Sequence, residues 1–208
     1  MNSGESASTQ PLGRRERNKL RVKEGLYSSA LALFTEQGYD RTSIDDIAER
    51  ADVARGTFFN YFQRKEDLIS AWGEKRRQKL RACVEEAQPA GSGAVPRLRR
   101  CMSILGTINE SERELTAAML TAWVKAGRPL TEEPYVGQIF AEIIADGCRQ
   151  GELRPDLAPV QVGNFLRDIY FGILYRWSQR SPIAEYGTLD DELQTALRTL
   201  LDGVAVPH

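Results

Sequence analysis

Histidine is almost absent from this chain: the single residue, His208, is the last one. Cysteine is scarce as well, with Cys83, Cys101 and Cys148 far apart and odd in number. Without a CxxC pair or a second histidine, neither a zinc site nor a disulfide framework is expected. A reducing, cytoplasmic setting is expected instead. No window holds about 18 apolar residues in a row, which excludes a transmembrane helix and a membrane partner of that kind. The N-terminus, MNSGESASTQPLGRR, lacks the apolar stretch of a secretory signal. The patterns GxSxG and HExxH and the phosphate-binding P-loop are missing too. No catalytic residue, metal ligand or cofactor is therefore assigned. Alternating strand and hairpin patterns are also lacking.

What the chain has is length, charge and helical periodicity. Its 208 residues, 41% hydrophobic, suffice for one large domain or a small one plus a medium one. The net charge of −1, from 28 Lys and Arg against 29 Asp and Glu, conceals an asymmetry. Residues 1–81 hold 16 bases against 12 acids, whereas residues 82–208 hold 12 against 17. The sharpest run, Arg14 to Lys23 (RRERNKLRVK), has six bases and one acid. A basic end on an otherwise acidic protein suggests a polyanionic partner there, or else a solvated tail leading into a helix.

Apolar spacing reads as helices throughout. A first helix is expected over Arg15–Gln37, with Leu26, Ala30, Leu33 and Phe34 on one face and Gly38 as its stop. A short helix follows at Ser43–Ala51, capped by Thr42 or Ser43 with Asp45 or Asp46 completing the box. After a tight Asp52-Val53 connection, a third helix covers Ala54–Tyr61 and a fourth Lys65–Ala87. The clearest composition break is Pro89–Pro96 (PAGSGAVP). Beyond it, stripes recur around Leu98–Leu105, Leu115–Trp123, Val136–Ile144, Val162–Trp177 and Leu189–Val204. Loops fall at Gly127–Pro134, Gly151–Pro159 and Ser181–Gly187. The expectation is an all-α chain of about nine helices. Its parts are a disordered arm (1–14), a three-helix domain (15–64) and a larger helical domain (65–208) whose first helix, 65–87, is the link.

The chemistry is concentrated in residues 38–68. A short helix, a turn of three to four residues and a second short helix make helix-turn-helix spacing. In the second helix Phe58 and Phe62 are four apart and can face a core, while Arg55, Phe59 and Asn60 point elsewhere. Gly56 costs a helix about 1 kcal/mol. That cost makes sense where something must approach the backbone closely.

The ordered series Gly38-Tyr39, Thr42-Ser43, Ile47-Ala48, Ala51-Asp52-Val53, Arg55-Gly56-Thr57-Phe58-Phe59, Tyr61-Phe62 and Lys65-Glu66-Asp67-Leu68 resembles the DNA-binding region of the TetR (tetracycline-repressor) family. The resemblance covers residues 20–68, and the remainder matches in being helical and of the expected length. It implies double-stranded DNA as a partner. Thr42 or Ser43 is then a phosphate contact. Arg55, Gly56 and Thr57 become readers in the major groove, with Arg55 suited to guanine O6 and N7. Asn60 and Tyr61 are candidates for base or phosphate contacts, and Lys65 for a phosphate anchor. Phe59 stands where many relatives have Tyr. It has no hydroxyl to donate, though it can touch a thymine methyl. Asn60 stands where His is common. The Arg14–Lys23 bases become an N-terminal arm toward the neighbouring groove or backbone.

For the larger domain the resemblance implies an effector pocket. The bulky apolar candidates for its lining are Trp72, Met102, Leu105, Met119, Trp123, Phe140, Ile144, Phe165, Ile169 and Tyr170. Plain core packing is the other reading of each. The resemblance also implies a twofold homodimer through the last two helices. Two reading heads about 34–36 Å apart or somewhat more then match a palindromic operator. The function so implied is repression relieved by a small lipophilic or aromatic effector. Two alternatives keep the same residues: a helical enzyme with a degenerate helix-turn-helix, and an effector-free regulator or adaptor.

Overall fold

The structure, a computed structural model, describes residues 13–86, 93–127, 135–180 and 187–202. Among them there are nine helices and no strand, as the all-α reading expected. Two compact units divide the chain, Met1–Lys65 and Glu66–His208.

The smaller unit contains α1 (Arg14–Gln37), α2 (Ile44–Arg50) and α3 (Arg55–Phe59). Leu26, Tyr27, Ala30, Leu33 and Phe34 of α1, Ile47 and Ala48 of α2, and Phe58 and Phe62 are among its buried side chains. The first half of α1, Arg14 to Gly25, buries no residue. The bases from Arg14 to Lys23 lie on this helix, as expected from Arg15 onward. Residues 1–12 of the expected arm lie outside the described residues.

Gly38 ends α1, its N–H donating to the Phe34 carbonyl at 3.1 Å. With φ 86° and ψ 158° it occupies a region essentially reserved for glycine. A Cβ there would touch nothing within 4 Å, so a substitution adds backbone strain alone. Gly38→Ala is expected to cost about 1–3 kcal/mol of stability. Thermal unfolding by circular dichroism checks this, and an unshifted transition would refute it.

The larger unit contains α4 (Glu66–Glu86), α5 (Ala94–Glu110), α6 (Arg113–Lys125), α7 (Tyr135–Arg149), α8 (Pro159–Ser178) and α9 (Leu189–Asp202). Its core runs through Leu98, Cys101, Met102 and Leu105 of α5 to Phe140, Ile143 and Ile144 of α7. It continues through Leu166, Tyr170, Ile173 and Leu174 of α8 to Leu193 and Leu197 of α9. Burial pushes the Cys101 thiol up to about 12, so it stays protonated and inert.

The composition break at Pro89–Pro96 does not separate the units. Ala94, Val95 and Pro96 already form the first turn of α5, where proline's missing N–H has no helical acceptor to lose. The other breaker segments, 87–92, 128–134 and 181–186, lie outside the described residues, as does Val204.

The α7–α8 pair packs most extensively. Its crossing is made of small residues: a Cβ on Gly163 would stand 2.4 Å from the Gly137 carbonyl oxygen and 2.8 Å from the Ala141 nitrogen. Polar ties fix other pairs. Ser103 Oγ donates to Asp190 at 2.9 Å across α5 and α9. Arg113 donates to the Trp177 and Arg180 carbonyls at 3.0 and 2.9 Å, closing the end of α8.

Candidate nucleic-acid interface and interior polar cluster

The segment before α2 is built by local hydrogen bonding. Ser43 caps α2: its Oγ accepts from the Asp46 N–H at 3.1 Å, and the Asp46 carboxylate accepts from the Ser43 N–H at 2.9 Å. The Ser43 backbone N–H and hydroxyl together hold the Asp46 carboxyl below its ordinary range. The choice between Thr42 and Ser43 as cap is thus decided. Thr42 is only 1% exposed, and its hydroxyl donates back to the Gly38 carbonyl at 2.8 Å. In the free protein that hydroxyl is therefore engaged inside the unit. Thr42 props the turn from inside, and Ser43 is the exposed hydroxyl.

Lys65 is engaged in a similar way. Its ammonium donates to the Tyr39 and Thr42 carbonyls at 2.7 and 2.8 Å. It also lies 4.0 Å from the centre of the Tyr39 ring. These groups hold the half-buried side chain against the α1–α2 connection in the free protein.

Between α2 and α3 the chain turns at Asp52, whose φ of 54° is left-handed. Aspartate tolerates that region better than most residues. The Val53 N–H closes the turn on the Ala48 carbonyl at 3.0 Å. The short α3 is then held by what it buries. Phe58 is fully buried and Phe62 nearly so, their ring centres 5.7 Å apart. Tyr61 and Thr57 are half-buried.

Arg55, Gly56, Phe59 and Asn60 are all exposed. On a helix they span an arc of about 140° that leaves out the buried Phe58. Phe59 is a large apolar ring left 47% in water. A Cβ on Gly56 would meet nothing within 4 Å, so the protein itself does not require glycine there. Arg55 Nη1 donates to Asp45 Oδ2 at 2.6 Å. Periodicity could not find that pairing, because Asp45 read as a cap or a surface charge.

The larger unit contains a cluster that sequence reading missed. Arg76 of α4 donates to Asn109 Oδ1 at 2.8 Å and to Thr116 Oγ1 and Glu112 at 3.0 Å. Asn109 donates on to the Tyr170 hydroxyl at 3.0 Å. The Arg76 guanidinium also stacks 4.4 Å from the centre of the Trp72 ring. The buried Trp72 indole N–H has no hydrogen-bond partner. Burial raises the Tyr170 phenol well above its ordinary pKa, so it stays protonated. Helices α4, α5, α6 and α8 are thereby tied through one polar knot. A stripe search discards Arg, Asn and Thr, so it carried no signal for this.

Of the apolar pocket candidates, Met102, Leu105, Phe140, Ile144 and Tyr170 are buried together in one core, and Ile169 packs against it. Trp72 and Met119 are buried elsewhere in the unit, and Trp123 stacks on Phe171 at 5.1 Å. Phe165 is the exception at 50% exposure. The broad α8 stripe joined two faces. Leu166, Tyr170, Ile173, Leu174 and Trp177 turn inward, while Val160, Phe165 and Tyr175 turn outward.

Among the described residues no group of His, Cys, Asp and Glu could hold a metal ion. No helix of the structure is long and apolar enough to cross a membrane.

Comparison with known proteins accords with this geometry. The family model described as "Bacterial regulatory proteins, tetR family" matches residues 26–72. That of "TetR/AcrR family transcriptional repressors, C-terminal domain" matches residues 75–203. The transcriptional repressor KstR of Mycolicibacterium smegmatis is 27% identical over 180 residues, 86% of each chain. Thermus thermophilus FadR, a TetR-family repressor solved in complex with lauroyl-CoA, is 30% identical with a TM-score of 0.68, over 89% of this chain and 96% of that one. FadR from Bacillus subtilis, solved with stearoyl-CoA, shares the fold at 22% identity and a TM-score of 0.65, over 88% and 99%. A helix-turn-helix with one exposed face over a buried aromatic pair, joined to a larger helical unit and matched by both family models, has one reading: the chain belongs to the TetR family and is a ligand-responsive, DNA-binding transcriptional repressor.

Proposed function

We propose that this repressor binds a palindromic operator as a homodimer and releases it on binding an acyl thioester or a similar long-chain amphiphile. The observation that carries the DNA half is the α3 face, where Arg55, Gly56, Phe59 and Asn60 stand exposed while Phe58 holds the helix to the core. Arg55 offers a fork of donors to a guanine edge. Gly56 lets the backbone approach, and Phe59 meets a thymine methyl. Ser43, exposed at the start of α2, and Tyr61 are the phosphate-side contacts.

Dimerisation is supported by the outward apolar side chains of α8 and α9. Val160, Phe165, Tyr175 and Leu200 are 39–69% exposed. A twofold contact over such a face covers surface that water otherwise wets. A cytoplasmic regulator without enzymatic activity fits the same picture.

The effector class is supported by the lauroyl-CoA bound to the Thermus thermophilus relative. A ligand shifts the DNA-binding equilibrium only by its differential affinity for two states. The Arg76 cluster ties α4 to α5, α6 and α8, and α4 follows directly on Lys65, the last residue of the smaller unit. A ligand that rearranges the cluster displaces α4.

The test is selection of bound duplexes from a random pool at moderate salt, followed by titration of the selected complex with lauroyl-CoA. The expected result is an enriched inverted repeat, then release by the thioester and not by free coenzyme A. Failure to enrich any sequence overturns the operator reading. An enriched operator indifferent to the thioester overturns the effector class alone.

A further inference from the structure

We propose that Asp45 is a specificity-determining positioning residue, which steadies the Arg55 guanidinium so that its free edge meets a guanine. This rests on the reading role proposed for Arg55. Asp45 is not needed for the capping of α2, because Asp46 completes the box with Ser43. Its carboxylate instead accepts from Arg55 Nη1 at 2.6 Å across the turn between α2 and α3. The Arg55 guanidinium also lies 6.0 Å from the centre of the exposed Phe59 ring, one helical turn on. Carboxylate and ring together restrain a side chain that nothing else walls in.

The chemistry favours a buttress. A guanidinium has five N–H donors, and a bidentate contact with guanine O6 and N7 uses two. One hydrogen bond to Asp45 leaves enough donors and narrows the directions in which they point. An unpaired acid near phosphates repels every sequence alike. Paired with Arg55, Asp45 becomes a fixed acceptor whose influence depends on what Arg55 touches. In water an exposed pair of this kind is weak, and it strengthens as DNA displaces the surrounding solvent.

The full-length protein, with Asp45→Asn, Asp45→Glu and Arg55→Ala variants, is compared by competition binding to operator, base-substituted operator and random duplex at one fixed salt concentration. Melting temperatures are measured in parallel. For Asp45→Asn the expected result is tighter binding to random duplex. Discrimination for guanine at the Arg55 position falls roughly three- to ten-fold, because the arginine must now be ordered on binding. Asp45→Glu keeps the carboxylate and most of the discrimination. An equal gain on all duplexes with discrimination unchanged would make Asp45 a plain surface charge and overturn the proposal. A lowered melting temperature with unchanged discrimination overturns it as well. Should Arg55→Ala leave base preference intact, the reading role of Arg55 falls and the buttress falls with it. Lost preference in Arg55→Ala beside full preference in Asp45→Asn rejects the buttress alone.

Discussion

Gly163→Ala is expected to destabilise the larger unit by about 1–3 kcal/mol, the range for forcing atoms into a packed core. The added Cβ would sit 2.4 Å from the Gly137 carbonyl oxygen and 2.8 Å from the Ala141 nitrogen. Both are main-chain atoms inside α7, so no side-chain rotation relieves the contact. The two helices must separate, and α7–α8 is the most extensive pairing among the described helices. Alanine's better helix propensity returns up to about 1 kcal/mol, which the clash outweighs. For a unit of this size each kcal/mol is about 2–4 °C in melting temperature. Gly73→Ala on α4 is the control, because its Cβ would meet nothing within 4 Å. Alanine there should raise the melting temperature slightly. If both substitutions move it in the same direction, the close crossing does not limit stability.

Arg55→Ala and Gly56→Ala should both impair operator binding. Loss of a bidentate arginine–guanine contact amounts to about 1–3 kcal/mol, roughly 5- to 150-fold per half-site. A base contact leaves the salt dependence of binding nearly unchanged, whereas loss of a phosphate contact lowers the slope by about one. The Arg55→Ala loss should therefore persist at every salt concentration and vanish on random duplex. Gly56→Ala should leave the fold as stable or up to about 1 kcal/mol more stable, since its Cβ lies in open space. It should still weaken operator binding, because the space that is open in the free protein is where DNA comes close. Unaltered affinity in a Gly56→Ala protein would show that no backbone approaches there, and would count against α3 as the reading helix.

What the sequence by itself determined is local. Leu26, Ala30, Leu33 and Phe34 fall on one face because a helix repeats every 3.6 residues, and all four are buried. A capping box at the start of α2 was legible because residues three apart at a helix start meet whatever the fold, though the choice of Ser43 with Asp46 came from the structure. Gly38 ends α1 because only glycine adopts its backbone angles without strain. Phe58 and Phe62, four residues apart, are both buried, as one-sided spacing implies. The helix-turn-helix could be read in advance because its spacing and its turn chemistry are short-range properties.

The tertiary structure alone decided which polar groups find partners. Lys65 reaches carbonyls 26 and 23 residues away. Arg76 reaches Thr116 across 40 residues, and Asn109 reaches Tyr170 across 61. Asp45 faces Arg55 only because the turn at Asp52 folds one helix end beside the other. Thr42 turns inward while its neighbour Ser43 stays exposed, and Phe165 turns outward while its neighbour Leu166 is buried. Apolar burial follows from the direction a side chain takes on its own helix. A hydrogen bond needs a particular donor within about 3 Å of a particular acceptor, and only the packing of distant helices sets that distance.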